Sequence, residues 1–153
     1  MYNTILVPLD GSNQSELVLP HVAELARCFD AKVIFLRVLE EPIMLGIDEV
    51  IDLSKYHQER DRGIKEAESY LAGLEEGFKA KDIRSKRLIS CGSVVQSILN
   101  TAESERADLI AMTSHGQGSL YRVCYGSVAA GVLQRVDRPL LIIRLRRIEY
   151  REQ

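Results

Sequence analysis

Cysteine is scarce in this sequence. The 153 residues include three, Cys28, Cys91 and Cys124, and no two of them form a Cys-x-x-Cys pair. The odd number and the spacing argue against a disulfide framework and favour a reducing compartment. A domain of this length buries about 70% of the surface of its unfolded chain, which is enough to fold without a disulfide or a metal. We therefore predict a single domain located in the cytoplasm.

Long apolar runs are also missing, and neither sign of charge dominates. No run approaches the ~20 residues of a membrane-spanning helix, and Met1-Tyr2-Asn3-Thr4 lacks the basic region typical of a signal peptide. The 20 Lys and Arg residues nearly balance the 22 Asp and Glu residues, for a formal net charge of −2. Such a chain has no general attraction for nucleic acid or an anionic membrane, so neither is expected as a partner.

Several catalytic motifs are absent. There is no G-x4-G-K-[ST] sequence, and so no lysine to hold the β- and γ-phosphates of a nucleotide. Gly116-Gln117-Gly118 lacks the third glycine of a dinucleotide-binding turn. Asp10-Gly11-Ser12-Asn13 is too poor in Ser and Thr for a flavin phosphate loop and lacks the acidic pair of a phosphoryl-accepting domain. No metal-ligand spacing joins His21, His57 and His115, so neither catalytic nor metal-binding residues are predicted.

Five short apolar runs predict β-strands. These runs are Ile5–Pro8, Lys32–Leu39, Arg87–Ser90, Asp108–Thr113 and Pro139–Leu145. Nearly continuous apolar runs suit strands that are covered on both faces, and they therefore favour a parallel sheet. Helical patterns lie between successive runs. With right-handed crossovers, this β-α-β-α-β-α-β-α-β order predicts a doubly wound parallel α/β sheet with helices on both faces.

Two of the connections carry further signals. In the first, Ser12 or Asn13 can cap a helix, with Glu16 three residues after Asn13 as in a capping box. Pro20 should bend this helix or lie in its first turns. In the second, Glu40–Ser54 is irregular and fits equally well a mobile flap over a site or an ordinary crossover loop.

Small and polar residues follow the first and fourth runs, where a doubly wound sheet binds its ligand. Asp10 can bind a ribose hydroxyl, an adenine amino group or Mg²⁺, and it can also form an Asx-turn. The fourth run leads into Thr113-Ser114-His115-Gly116 and, after nine intervening residues, Gly126-Ser127. Glycines and a helix N-terminus suit a phosphate, although a plain turn with an N-cap has the same pattern. The two loops meet only if the first and fourth strands are neighbours, which the sequence leaves open.

These residues resemble the universal stress protein family, and the similarity spans nearly the whole chain. Nucleotide-binding members of that family carry G-x2-G-x9-G-[ST] after the fourth strand. Gly116, Gly126 and Ser127 match this pattern. Thr113 stands where the pattern has its first glycine, and its side chain can either crowd a ligand or donate a hydrogen bond to it.

The resemblance implies a fold, a ligand and a set of site residues. It implies a five-stranded Rossmann-like sheet of the adenine nucleotide alpha hydrolase type, in the order 3-2-1-4-5, within a domain over residues 1–147 followed by a tail at 148–153. The implied ligand is ATP or another adenine nucleotide, with Mg²⁺ carried on its phosphates. The matching positions are Pro8, Leu9, Asp10, Val38, Met112, Thr113, Gly116, Gly126, Ser127 and Val128.

The resemblance also implies a function and an assembly. The expected protein is an ATP-binding regulatory homodimer of the stress response, with slow or no ATP hydrolysis and hence at most weak ATPase activity. Its dimer would pair through Leu140–Ile143, an apolar edge strand that needs cover. The alternative is an interaction module that binds no nucleotide and acts through protein partners, a hypothesis whose main support is Thr113.

Overall fold

The computed structural model describes residues 1–40, 53–115 and 126–144. Most of the irregular Glu40–Ser54 segment and all of the predicted tail lie outside these ranges. Among the residues that the structure describes, no helix is both long and apolar enough to cross a bilayer. The elements in chain order are β1 (Thr4–Pro8), a 3₁₀ helix (Ser15–Val18), α1 (Leu19–Phe29), β2 (Lys32–Leu39), α2 (Leu53–Lys79), β3 (Ser85–Cys91), α3 (Val94–Ser104), β4 (Leu109–Thr113), α4 (Ser127–Arg135) and β5 (Leu140–Ile143).

All five strands are parallel and stand in the order β3-β2-β1-β4-β5. This confirms both the predicted doubly wound sheet and the strand order that the resemblance implied. Pro8 of β1 pairs with Leu36 of β2, and Leu6 of β1 pairs with Ile110 of β4. The strand order therefore reverses between β1 and β4, so the loops that follow these two strands border the same crevice.

Helices cover both faces of the sheet, and each face has its own core. On the first face Val7 and Phe35 pack with α1 and α2. On the second face Leu6 and Ile110 pack with α3 and α4. Since side chains alternate between the faces of a strand, the central strands are buried on both sides. This double cover is the physical reason why their sequences read as continuous apolar runs.

The first α-helix begins later than the capping pattern predicted. It starts at Leu19, with Pro20 in its first turn, where the missing proline N–H costs no helical hydrogen bond. The prediction of an α-helix capped at Ser12 or Asn13 is wrong, because Pro20 cannot donate within such a helix. Instead the Ser15 N–H donates to the Ser12 Oγ at 3.2 Å, and the Ser15 hydroxyl donates to the Ser12 carbonyl at 2.9 Å. The Ser12 side chain thus supports the start of the 3₁₀ helix.

One carboxylate fastens β1 to β4 at the amino ends of the strands. The Asp108 oxygens accept the Asn3 N–H at 2.9 and 3.0 Å and the Thr4 N–H at 3.2 Å. The Asp108 N–H in turn donates to the Thr4 carbonyl at 3.0 Å. These bonds fix the two strands side by side, and so they also fix the relative position of the loops at the opposite ends.

Candidate ligand site

The Asp10 carboxylate organises the loop that follows β1. Its Oδ1 accepts the Ser12 N–H at 2.8 Å and the Ser12 hydroxyl at 2.5 Å. Gly11 has a φ of +85°, a conformation that glycine adopts without strain. The Leu9 N–H still donates to the Leu36 carbonyl of β2 at 2.9 Å, so the loop leaves the sheet immediately afterwards. The predicted Asx-turn is confirmed, and it holds the carboxylate at the crevice.

The end of β4 is held by hydrogen bonds at three consecutive residues. The Thr113 hydroxyl donates to the His115 carbonyl at 2.9 Å. The Ser114 N–H donates to the Ile143 carbonyl of β5 at 2.9 Å. The Ser114 Oγ lies 2.8 Å from the His115 Nδ1. Thr113 and Ser114 are only 6% and 1% exposed, whereas His115 is partly exposed. The Ser114 contact gives His115 a ring partner that sequence reasoning did not identify.

Gly126 brings the start of α4 against this strand end. Its N–H donates to the Ser114 carbonyl at 2.7 Å, and a Cβ at this position would lie 3.0 Å from that oxygen. A larger side chain here would force the helix or the strand end to shift by a few tenths of an ångström. Gly126 is also the N-cap of α4, so Ser127 is the first residue within the helix, and its hydrogen bond to a phosphate oxygen stays a prediction. The amides of the first helical turn, at 127–129, have no acceptor within the helix and are directed out of its end.

Most of the apolar positions predicted for the site lie on the second face of the sheet. Val38 and Met112 are buried there, and Val128 packs against the same core. Pro8 follows on this face by strand alternation, and Leu9 is buried on the first face. Together with the Asp10, Thr113 and Gly126 regions, these residues line up along the carboxyl edge of β1, β2 and β4. Their contact with a ligand stays a prediction, and Gly116 lies outside the described residues.

A polar cluster beside Asp10 was missed by the sequence analysis. The Tyr70 hydroxyl of α2 donates to the Glu16 Oε1 of the 3₁₀ helix at 2.7 Å. Burial, the hydrogen bond to Glu16 and the negative charges of Glu16 and Asp10 raise the pKa of Tyr70, while Arg37 opposes them. Tyr70 therefore remains a hydrogen-bond donor. The available signal was Arg37, a charge inside the otherwise apolar run of β2, whose Nη1 donates to the Val38 carbonyl at 2.8 Å.

This edge of the sheet combines hydrogen-bond acceptors, hydrogen-bond donors and apolar side chains. Within the ranges 1–40, 53–115 and 126–144, no three His, Cys, Asp or Glu side chains are grouped as metal ligands. The edge offers a carboxylate acceptor at Asp10, helix amide donors after Gly126 and buried apolar side chains between them. A crevice of this kind, at the point where the order of a parallel sheet reverses, defines a doubly wound α/β protein of the ligand-binding type.

Comparison with known proteins identifies the family. A model of the universal stress protein family matches residues 1–144. The chain therefore belongs to the universal stress protein family, as its sequence pattern predicted.

Individual relatives agree in sequence and in fold. Universal stress protein MJ0577 of Methanocaldococcus jannaschii is 31% identical over an alignment 163 positions long, which covers 94% of this chain and 96% of that protein. The solved structure of MJ0577 superposes with a TM-score of 0.85 at 26% identity, covering 96% of this chain and 99% of that one. The fold is also shared with a universal stress protein in complex with cAMP. That structure superposes with a TM-score of 0.69 at 21% identity, covering 94% of this chain and 97% of that one. The universal stress protein from Archaeoglobus fulgidus in complex with dAMP superposes with a TM-score of 0.67 at 19% identity, covering 92% of this chain and 97% of that one.

Proposed function

We propose that this protein binds an adenine nucleotide, ATP with Mg²⁺ on its phosphates, at the carboxyl edge between β1 and β4. The observation that carries this proposal is the 2.7 Å hydrogen bond from the Gly126 N–H to the Ser114 carbonyl. This bond joins the N-terminus of α4 to the end of β4, next to the loop of Asp10. Helix N-termini bind phosphate through their free amides and their positive dipole end.

The remaining groups of the edge suit the rest of the nucleotide. A carboxylate such as Asp10 accepts hydrogen bonds from ribose hydroxyls. The resemblance to the family assigns the backbone of Val38 to the base and Met112 to the neighbourhood of the ribose and phosphates, with both side chains buried in the core. The adenine class of ligand is supported by the family members solved with cAMP and with dAMP. Mg²⁺ would arrive with the phosphates, because the described residues contain no ligand cluster of their own for it.

The proposed role is regulatory, because the means for fast hydrolysis are lacking. The sequence has no P-loop lysine, and no acid or Gln is assigned to orient an attacking water. We expect slow hydrolysis or none, with nucleotide occupancy as the signal in a stress response. We further propose a homodimer that pairs through β5.

Isothermal titration of nucleotide-stripped protein with Mg-ATP tests the proposal. We expect one site per chain for the native protein. In Gly126→Val the side chain would push α4 away from the Ser114 carbonyl, so ATP affinity should fall at least about tenfold. Gly73→Val is the matched control, because Gly73 is exposed on α2 and a Cβ there would meet no atom within 4 Å. Circular dichroism verifies that both variants are folded.

Two outcomes would contradict the proposal. If the native protein gives neither heat nor a thermal shift with Mg-ATP, the chain acts without nucleotide, as an interaction module for protein partners. If Gly126→Val and Gly73→Val bind ATP as tightly as the native protein, the nucleotide site lies elsewhere on the molecule.

A further inference from the structure

The threonine at the end of β4 occupies an ordinary strand position. Thr113 pairs with Ile143 of β5 in the sheet register and is 6% exposed. It is not among the residues of the described chain that have a positive φ. The backbone at this point therefore does not require glycine, and the branched side chain fits within the protein.

The hydroxyl of Thr113 is directed to the backbone of its own loop. It donates to the His115 carbonyl at 2.9 Å, two residues further along the chain. A short side chain that bonds a nearby backbone group in this way stabilises a local turn in place of regular structure. The proton of this hydroxyl is thus engaged by the protein itself, and it holds the turn 113–115 in one shape.

That turn determines where α4 begins. Ser114, at its centre, is bound in three directions: its N–H donates to the Ile143 carbonyl, its carbonyl accepts the Gly126 N–H, and its hydroxyl contacts the His115 Nδ1. A change in the shape of the turn moves the Ser114 carbonyl, and with it the acceptor on which Gly126 is docked. The position of the α4 N-terminus therefore depends on the same turn that Thr113 closes.

We propose that Thr113 is a positioning residue, whose hydroxyl fixes the turn 113–115 and so sets the phosphate end of the site before the nucleotide arrives. This inference rests on the proposed nucleotide binding. Threonine at the first glycine position of the family pattern is then neither an obstruction nor a direct ligand contact. Where glycine would leave the backbone conformationally free, threonine holds it with a side-chain hydrogen bond. A site that is already ordered loses less conformational entropy when the nucleotide binds.

Substitutions at position 113 separate the hydroxyl from the bulk of the side chain. Thr113→Val keeps the shape but removes the donor, so the turn must be ordered when the nucleotide binds, and ATP affinity should fall about tenfold. Thr113→Ser keeps the donor and should stay within about twofold of the native affinity. Adenosine has no phosphates and should bind native protein and both variants equally. Thr4→Val, at the amino end of β1, is the matched control.

Amide hydrogen exchange on nucleotide-free protein gives a readout that does not depend on ligand. The Gly126 amide should exchange faster in Thr113→Val than in native protein, and at the native rate in Thr113→Ser. Thr113→Ala, which lacks the hydroxyl and adds no bulk, serves if the valine variant does not fold. Native protein that binds no ATP but shows this exchange pattern would refute the proposed function and leave the positioning role intact.

Two results would overturn the positioning role. One is a Thr113→Val protein with native ATP affinity and native exchange at Gly126. The other is a Thr113→Gly protein that binds ATP more tightly than the native chain, because the threonine side chain would then obstruct the ligand.

Discussion

The two outer strands of the sheet, β3 and β5, differ in length and in charge. β3 is seven residues long and carries Lys86 and Arg87, which form ion pairs with acidic side chains of the neighbouring helices. The Arg87 Nε lies 2.8 Å from Glu68, and the Lys86 Nζ lies 3.0 Å from Glu105. β5 has four residues, all apolar and all partly exposed. Charged edges resist the addition of another strand and apolar edges invite it, so the sheet has one edge that faces water and one that suits a partner.

The hydrogen bonds of β5 show which of its groups face outward. The Pro139 and Ile143 carbonyls accept N–H groups of β4 and the residue after it, at 3.0 and 2.9 Å. Because backbone groups alternate in direction along a strand of a parallel ladder, the N–H groups of Leu140 and Ile142 are directed away from β4. These are the donors that a second copy of the chain would use.

The largest expected effect comes from removing one of these donors. Ile142→Pro deletes an outward N–H but no bond to β4, which is the setting in which an edge strand tolerates proline. We expect the dimer dissociation constant to rise at least about a hundredfold, because both copies lose the donor, measured by sedimentation equilibrium. Ile142→Val keeps the N–H and should dimerise like the native protein.

This prediction would fail in two ways. Native protein that sediments as a monomer would show that the apolar edge is not paired with a second copy. A folded Ile142→Pro variant with the native dissociation constant would show that the dimer forms through another surface.

A smaller effect is expected at the turn that leads into β5. Arg138 is 16% exposed in its side chain, and its Nη1 donates to the Ala102 and Ala107 carbonyls at 2.8 and 2.9 Å. Arg138→Met keeps an unbranched apolar stem but leaves both carbonyls without this donor. We expect the free energy of unfolding to fall by about 2 kcal/mol, in line with hydrogen bonds from a charged group, measured by urea denaturation.

The control for this variant removes one of the two exposed acidic partners of Arg138, which are Glu103 and Asp137. Glu103 is 78% exposed in its side chain, and exposed ion pairs contribute little to stability. Glu103→Gln should therefore unfold at the native urea concentration. Equal losses in Arg138→Met and Glu103→Gln would mean that the ion pair, rather than the carbonyl bonds, anchors the approach to β5.

The smallest effect is expected at the charged edge. Arg87 contacts Glu68 and Glu75 at 2.8 and 3.0 Å, and these contacts raise the pKa of its guanidinium, the Glu68 hydrogen bond being the first cause. All these groups are solvated, so Arg87→Met should leave the melting temperature and the association state within measurement error. A new oligomer in this variant would show that the charge protects the β3 edge, and a large drop in melting temperature would mean that the ion pairs act as a stabilising network.

The sequence was informative where a residue's role depends on its neighbours along the chain. The five strands were predictable because double burial leaves little room for polar residues, as in β4. The positions of Asp10 and Gly126 were predictable, since the end of a strand and the start of a helix bring such residues to the crevice of a doubly wound sheet; their contact with a ligand stays a prediction. The start of α1 was missed because Pro20 and a 3₁₀ helix compete with the capping pattern over the same few residues.

The parts of the site that sequence could not predict depend on contacts between distant residues. Tyr70 and Glu16 are 54 positions apart, and no local pattern links an acid in the first connection to a tyrosine in the second. The direction of the Thr113 hydroxyl was equally open, because a side chain at a strand end can turn toward a ligand or toward its own loop. Only the packed structure settles such choices, since they depend on which acceptor is within reach.

The hydrogen bond between Ser114 and Gly126 has a consequence for which substitutions the chain can accept. Both of the joined atoms belong to the main chain and lie 2.7 Å apart, so the link between the sheet and α4 does not depend on the side chain at position 114. Selection can therefore vary that side chain while the join between strand end and helix is kept.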